Sequence, residues 1–211
     1  MNLPFAGHRL LLSVAFLLVC CSFLSGQDSL AKKKRTPDHF SIALTNNHTA
    51  YPFASFSKLA TGIWHPGVEF GTGLNWSVKP KHDWYQEFRA AYFYHQFIQH
   101  GVPLYTNFGY QYKFSAHWRA RAGLGLGALL SFPDHKRYEL NDNGHYDEIN
   151  GIRLQGMFTF NLGAGYRFGL NGQHPLELFI NYQQRLQTPY VPNYVPLLPY
   201  NSSMVGIRWY R

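Results

Sequence analysis

Residues 153 to 168, RLQGMFTFNLGAGYRF, alternate along their whole length. Leu154, Phe158, Phe160, Leu162, Ala164, Tyr166 and Phe168 share one parity, and Arg153, Gln155, Thr159, Asn161, Gly163, Gly165 and Arg167 share the other. A period of two belongs to a β-strand, whose successive side chains point to opposite faces. Ordinary strands run ~5 to 6 residues, and this one runs about three times as far. A face that long meets lipid more readily than a protein core. Met157 interrupts the pattern on the polar side and is expected to pack inward.

The same alternation recurs elsewhere. In LYTNFGYQYKF, Leu104, Thr106, Phe108, Tyr110, Tyr112 and Phe114 oppose Tyr105, Asn107, Gly109, Gln111 and Lys113. In WRARAGLGLGALL, Trp118, Ala120, Ala122, Leu124, Leu126 and Ala128 oppose Arg119, Arg121, Gly123, Gly125 and Gly127. Neither stretch has a 3.6-residue period, and the glycine density would cripple a helix. The pattern predicts eight strands, at 38–46, 65–79, 82–98, 102–115, 117–131, 151–169, 174–188 and 202–211.

The polar parity is rich in Gly, Asn, Gln, Thr and Arg, whereas the apolar parity ends in Tyr and Trp, as in the aromatic girdles of a membrane barrel. A soluble sandwich or lipocalin-like barrel would reverse this, with the apolar parity inside and charge spread over the outside. Connections near Lys79-Pro80-Lys81, Ser115-Ala116-His117 and 169–173 are short. Of the alternate connections, 47–64, 132–150 and 189–201 are long and 99–101 is short. Short turns on one side and long loops on the other suit a barrel whose N-terminus starts in the periplasm. The fold class expected is all-β: an eight-stranded antiparallel up-and-down transmembrane β-barrel.

Composition agrees. The 211 residues are only 14% charged but 18% aromatic, with 19 glycines. The first segment has His8 and Arg9, an apolar run from Leu10 to Leu24, and then Ser25 and Gly26. This is the order of a secretory signal, and the run is shorter than the ~20 residues of a spanning helix. Residues 1–27 are therefore expected to be a cleaved signal peptide, 28–37 a basic periplasmic lead segment, and 38–211 the barrel. The only cysteines, Cys20 and Cys21, fall within the signal, so a mature chain cut near Gln27 has no thiol. Lipidation of one of them is the alternative. The run Lys32 to Arg35 reads as a solvated lead, or as a contact for acidic lipid head groups. No nucleic-acid partner is expected of an exported chain.

The C-terminal SSMVGIRWYR alternates and closes on aromatic Trp209 and Tyr210, with Arg211 following. Together with the strand pattern over 38–211, it resembles the small eight-stranded outer-membrane β-barrel proteins of Gram-negative bacteria. The resemblance implies location in the outer membrane, contact with its lipid and lipopolysaccharide, and delivery by the barrel assembly machinery. It implies no particular activity.

Projection of the strands places a charge cluster in the lumen, made of Glu87, Arg89, Lys113, Arg119, Arg121, Arg167, Glu177 and Arg208. Glu69, His95, Arg153 and Arg185 are expected at the outer mouth. An interior just wide enough for side chains favours a salt-bridged plug. The surplus of arginine over acid instead fits an anion-binding lumen or a narrow anion-preferring pore. A lipid A-modifying enzyme is a further alternative. Its weak candidates, Ser131, Asp134, His135 and His145, lie in or beside the loop after strand five, with Asp142 and Asp147 nearby. Barrel deacylases carry a His and a Ser two residues apart on a late strand, and LELFINYQQRLQT has neither. No metal and no cofactor are expected. The segment TPYVPNYVPLLPYN, stiffened by Pro189, Pro192, Pro196 and Pro199, resembles one in uncharacterised barrels of this group. It is expected either to meet a protein partner over 189–201 or to pack as a lid against Tyr51, Phe53 and Trp64.

Overall fold

The computed structural model describes residues 36–50, 62–96, 98–134, 137–140, 144–149, 151–170, 174–190 and 196–211. The expected signal peptide, Cys20, Cys21 and the run Lys32 to Arg35 lie outside them, as do Tyr51, Phe53, His135 and Asp142.

The strands in chain order are β1 (His39–Thr49), β2 (Pro66–Val78), β3 (His82–His95), β4 (Gln99–Lys113), β5 (Trp118–Pro133), β6 (Arg137–Leu140), β7 (Tyr146–Ile149), β8 (Arg153–Phe168), β9 (Leu176–Thr188) and β10 (Leu198–Tyr210). Eight of them close into an antiparallel barrel in the order β1-β10-β9-β8-β5-β4-β3-β2. Every barrel strand therefore lies beside its neighbour in sequence, and β1 meets β10 to remove the last free edge. The seam is well ordered: His39 pairs with Tyr210 at one end and Thr49 with Tyr200 at the other. One irregularity lies between β2 and β3, where the register skips Trp76. An extra residue there bends the strand end, as bulges do.

The eight long strands match the expected number and parity, but their upper ends differ. β4 begins at Gln99 rather than 102, β5 continues to Pro133, and β10 begins at Leu198 rather than 202, while β3 stops at His95 rather than 98. The expected loop 132–150 contains the separate hairpin β6–β7. The reason is physical: the hydrogen-bonded ladder runs on beyond the apolar band, where no lipid enforces alternation.

The outer wall is a continuous apolar surface. Phe40, Phe70, Phe88, Phe108, Leu124, Phe158, Ile180 and Val205 are all exposed and come from different strands around the ring. A soluble monomer rarely exposes an apolar patch beyond ~300–600 Å², so a wall of this kind is the surface of a transmembrane barrel. Among the described residues no helix is long and apolar enough to cross a membrane; the strands cross instead. Trp76, Trp84, Trp118 and Trp209 ring the end that carries the short turns, where an indole sits half in lipid and half in water. The inner wall is polar, and its small cores are Ala43, Phe179 and Met204 in one layer and Phe93, Leu129 and Tyr200 in another. Met157 is buried inside as expected.

Candidate functional site

The lower lumen, toward the short turns, is built around two buried carboxylates that β3 and β9 turn inward. Glu87 accepts hydrogen bonds from Arg89 Nε at 3.0 Å, Arg89 Nη2 at 2.5 Å and Arg121 Nη1 at 2.8 Å. His39 Nε2 lies 3.2 Å from it and Arg208 Nε 3.4 Å. Glu177 accepts from Arg208 Nη1 at 2.5 Å and from Tyr210 Oη at 2.8 Å. Arg119 Nε, Arg121 Nη2 and Arg167 Nη2 each stand 3.8 Å from Glu177, too far for a hydrogen bond. One carboxylate therefore serves four arginines. Three of these guanidiniums also lie over aromatic rings, Arg208 on Phe179 at 3.8 Å, Arg167 on Tyr210 at 3.7 Å and Arg121 on Tyr85 at 4.9 Å. A ring face offsets part of the cost of burying a cation.

The glycines of the inner wall explain how such large side chains fit. Tyr85 packs against Gly109 and Gly123, and Tyr105 against Gly127, where any side chain would occupy the same space. Glu69 departs from its expected placement. It is not at the outer mouth but bonds to Arg89 and to the Tyr105 hydroxyl, and Arg185, also expected at the mouth, is buried in the lumen at 1% exposure. The position of Glu69 four residues into β2, well inside the ladder, carries it down to the charge cluster. Lys113 lies at the short-turn rim and pairs with Asp83 at 2.7 Å.

Above the charges the lumen is closed by amides and hydroxyls. Gln183 donates to the Tyr105 hydroxyl at 2.8 Å and to Asn161 at 2.9 Å, and Arg185 donates to Gln183 at 2.9 Å. Gln99 donates to Gln187 at 2.8 Å and to Tyr200 at 3.0 Å, and Gln187 donates to Gln155 at 2.5 Å. Arg153 reaches the carbonyl of Tyr190 at 3.3 Å at the long-loop end. There, too, the rings of His48, His65 and His95 gather. His65 stacks on His95, and His48 meets His65 edge-on at 5.0 Å. Among the described residues no set of three His, Cys, Asp or Glu side chains is arranged to hold a metal ion.

The loop candidates for catalysis are not brought together. Ser131 lies within β5, not in the loop, and faces the interior, where its hydroxyl donates to Gln99 at 2.5 Å. Its parity with Arg119 and Arg121 places it there. Asp134 stays outside, His145 is exposed, and His135 falls outside the described residues. The structure instead shows an exterior chain: Tyr92 Oη lies 2.7 Å from His100 Nδ1, and His100 Nε2 lies 3.4 Å from Asp134 Oδ1. Sequence reading missed this chain because β3 and β4 are joined by so short a turn that Tyr92 and His100 become neighbours. It also missed Tyr105, Tyr210, Asp83 and His39 as members of the charge network. Tyr210 shares parity with Arg208, and that was the available signal. The lid reading falls largely outside the described residues; of its members within them, Trp64 is exposed and Tyr200 is buried inside the barrel beside Phe93 and Leu129.

No family model matches the sequence, and no curated protein does. Solved structures do match. Neisserial surface protein A is 9% identical, with 83% of this chain and 96% of that one aligned at a TM-score of 0.48. Ail, the attachment invasion locus protein of Yersinia pestis, solved with the heparin analogue sucrose octasulfate, is 9% identical over 83% of this chain and 97% of its own, at 0.41. The outer membrane enzyme PagL is 13% identical over 80% and 97%, at 0.43. These are small outer-membrane barrels, and the likeness concerns the fold alone.

Proposed function

We propose that the chain is a closed outer-membrane barrel of a Gram-negative bacterium with a structural or binding role. It is exported through a signal peptide cleaved near Gln27 and set with its short-turn end in the periplasm. One observation carries this reading: a lipid-suited outer wall encloses a lumen filled by bonded side chains. The Glu87 and Glu177 clusters and the Gln99, Gln155 and Gln187 layer cross the interior at two levels, so the reading excludes an open pore. Lipid and lipopolysaccharide are the partners that the outer wall suits, and the barrel assembly machinery would insert it. The exposed Trp64 and Leu197 at the long-loop end suit a protein partner. Fractionation of cells followed by gel migration with and without boiling tests it. Recovery in the outer membrane with a mobility shift on boiling is expected; a soluble protein with one mobility would refute it. Planar-bilayer recording should show no steady conductance.

A second reading, a lipid-modifying enzyme, has one observation in its favour, the Tyr92, His100 and Asp134 chain on the outer wall. An imidazole held between a hydroxyl and a carboxylate is a proton-transfer arrangement. Mass spectra of lipid A from cells making the wild type or His100→Ala decide it, and identical acyl patterns in producing and non-producing cells end it.

A further inference from the structure

The short-turn end opens into a cavity of about 270 Å³. Its wall carries Lys113, Arg119, Arg121, Arg167 and Arg211 and, among the side chains of the described residues, two carboxylates, Asp38 and Asp83. Both acids are engaged elsewhere. Asp83 accepts from Lys113 at 2.7 Å and from Gln111 at 2.9 Å, and Asp38 is bonded to His39 and Asn75. Arg121 donates to Glu87 and, at 2.7 Å, to the Tyr210 hydroxyl through its two terminal nitrogens, although its Nε is buried without a partner. Arg119 and Arg167 have no hydrogen-bonded carboxylate: the nearest to each among the described residues is Glu177 at 3.8 Å, already bonded to Arg208 and Tyr210. Arg119 is 8% exposed, and the Nε atoms of both Arg119 and Arg167 are buried without a hydrogen-bond partner.

Two partly buried guanidiniums without a bonded counter-charge are costly unless an anion completes them. The guanidinium fork matches the oxygens of a phosphate in two parallel bonds. At ~30 Å³ per water the cavity holds about nine waters, room for a hydrated phosphate group. We propose that this vestibule is a phosphate-binding site in which Arg119 and Arg167 clamp the anion and Arg121 contributes field from below. The site goes beyond the structural and binding reading above, since it lies at the opposite end from the loops. The phosphate belongs either to a soluble ion or to a phospholipid head group at the barrel rim.

The full chain purified in maltoside detergent, titrated calorimetrically with inorganic phosphate, tests the site. Saturable binding at one phosphate per chain is expected. Arg119→Gln and Arg167→Gln should each weaken it about tenfold, the loss of one charge-assisted pair. Arg153→Gln, at the other end of the barrel, should leave it unchanged. Retained heat-modifiable migration shows that each variant is folded, and Arg167→Lys, which keeps the charge but not the fork, supplies an intermediate should Arg167→Gln fail to fold. Phosphatidic acid in mixed micelles separates the sources: displacement of free phosphate identifies a lipid head group, and no displacement identifies a soluble anion. No saturable phosphate binding by the wild type, or binding indifferent to both Arg119→Gln and Arg167→Gln, overturns the proposal.

Discussion

The imidazole of His65 lies flat on that of His95, with ring centres 3.8 Å apart and planes 11° from parallel. Two stacked imidazoles repel each other when both carry a proton, and His48 stands edge-on beside them. The Asn46 side chain holds His65 by its backbone N–H at 2.9 Å, and Tyr200 faces His95 from β10. Burial, and then the neighbouring His48, holds the His65 imidazole below its ordinary value, against a smaller upward pull from a backbone hydrogen bond at Asn47.

This shift sets a pH dependence. In the unfolded chain His65 takes up its proton near ~6.5, whereas in the folded barrel it does so at lower pH. Between the two the unfolded state binds more protons, so stability rises with pH and is lost as pH falls below ~6.5. The thermal midpoint of the wild type should therefore drop between about pH 7 and about pH 5, and His65→Asn should flatten that drop. Equal slopes for the two proteins would show that His65 carries no share of the pH dependence.

Glu177 lies within 4 Å of Arg119, Arg121, Arg167 and Arg208, of which Arg121 and Arg208 also reach Glu87. Glu177→Gln leaves buried cations unopposed and should cost about 3 to 5 kcal/mol in urea unfolding from lipid vesicles. Arg208→Met alone should also destabilise the barrel, but combining the two should cost less than their sum, because each single change strands the other's charge. Additive losses would mean that the pair does not interact.

The sequence shows the barrel because lipid enforces alternation wherever the strand crosses it, as Phe158, Phe160 and Leu162 illustrate on β8. It also assigns the inward side of Arg119, Arg167 and Glu177, because parity alone decides side. Height is another matter: parity says nothing of depth along the axis, so Glu69 is read at the mouth when it sits against Arg89 and Tyr105. Above the band the pattern fades, which is why the strand expected to end at Ser131 runs on to Pro133 and holds Ser131 inside the lumen. The Tyr92 and His100 contact depends on the register of one tight turn, which no local pattern encodes.

Glycines of the two walls differ sharply in what they tolerate: Gly127 faces the filled lumen, and Gly156 the outside. A Cβ at Gly127 would run into the Leu104 carbonyl oxygen and the Tyr105 backbone, neither of which can swing away. At Gly156 the nearest atom is the Thr188 carbonyl oxygen at 3.4 Å, an ordinary contact. Gly127→Ala should lower stability by about 1 to 3 kcal/mol through overpacking, while Gly156→Ala should stay within about 0.5 kcal/mol. Urea midpoints of the two variants check this, and equal midpoints would dispose of the space argument.

Leu124 stands on the outer wall midway along β5, paired with Phe108 and Phe160 on its two neighbours and 67% exposed. In water, replacing so exposed a leucine by arginine would change stability little. In a bilayer the same position lies in hydrocarbon, and Leu124→Arg should cost about 2 to 4 kcal/mol at the midplane. Val78 is equally exposed but sits at the last residue of β2, beside the short turn. There Val78→Arg reaches the interface and should cost about 0 to 1 kcal/mol. The difference between the two variants, measured by reversible unfolding from short-chain lipid vesicles, reports depth rather than side-chain size, since both remove an exposed apolar group for the same arginine. A gap that narrows to nothing would place Leu124 outside the hydrocarbon and with it the whole band that Phe108 and Phe160 share.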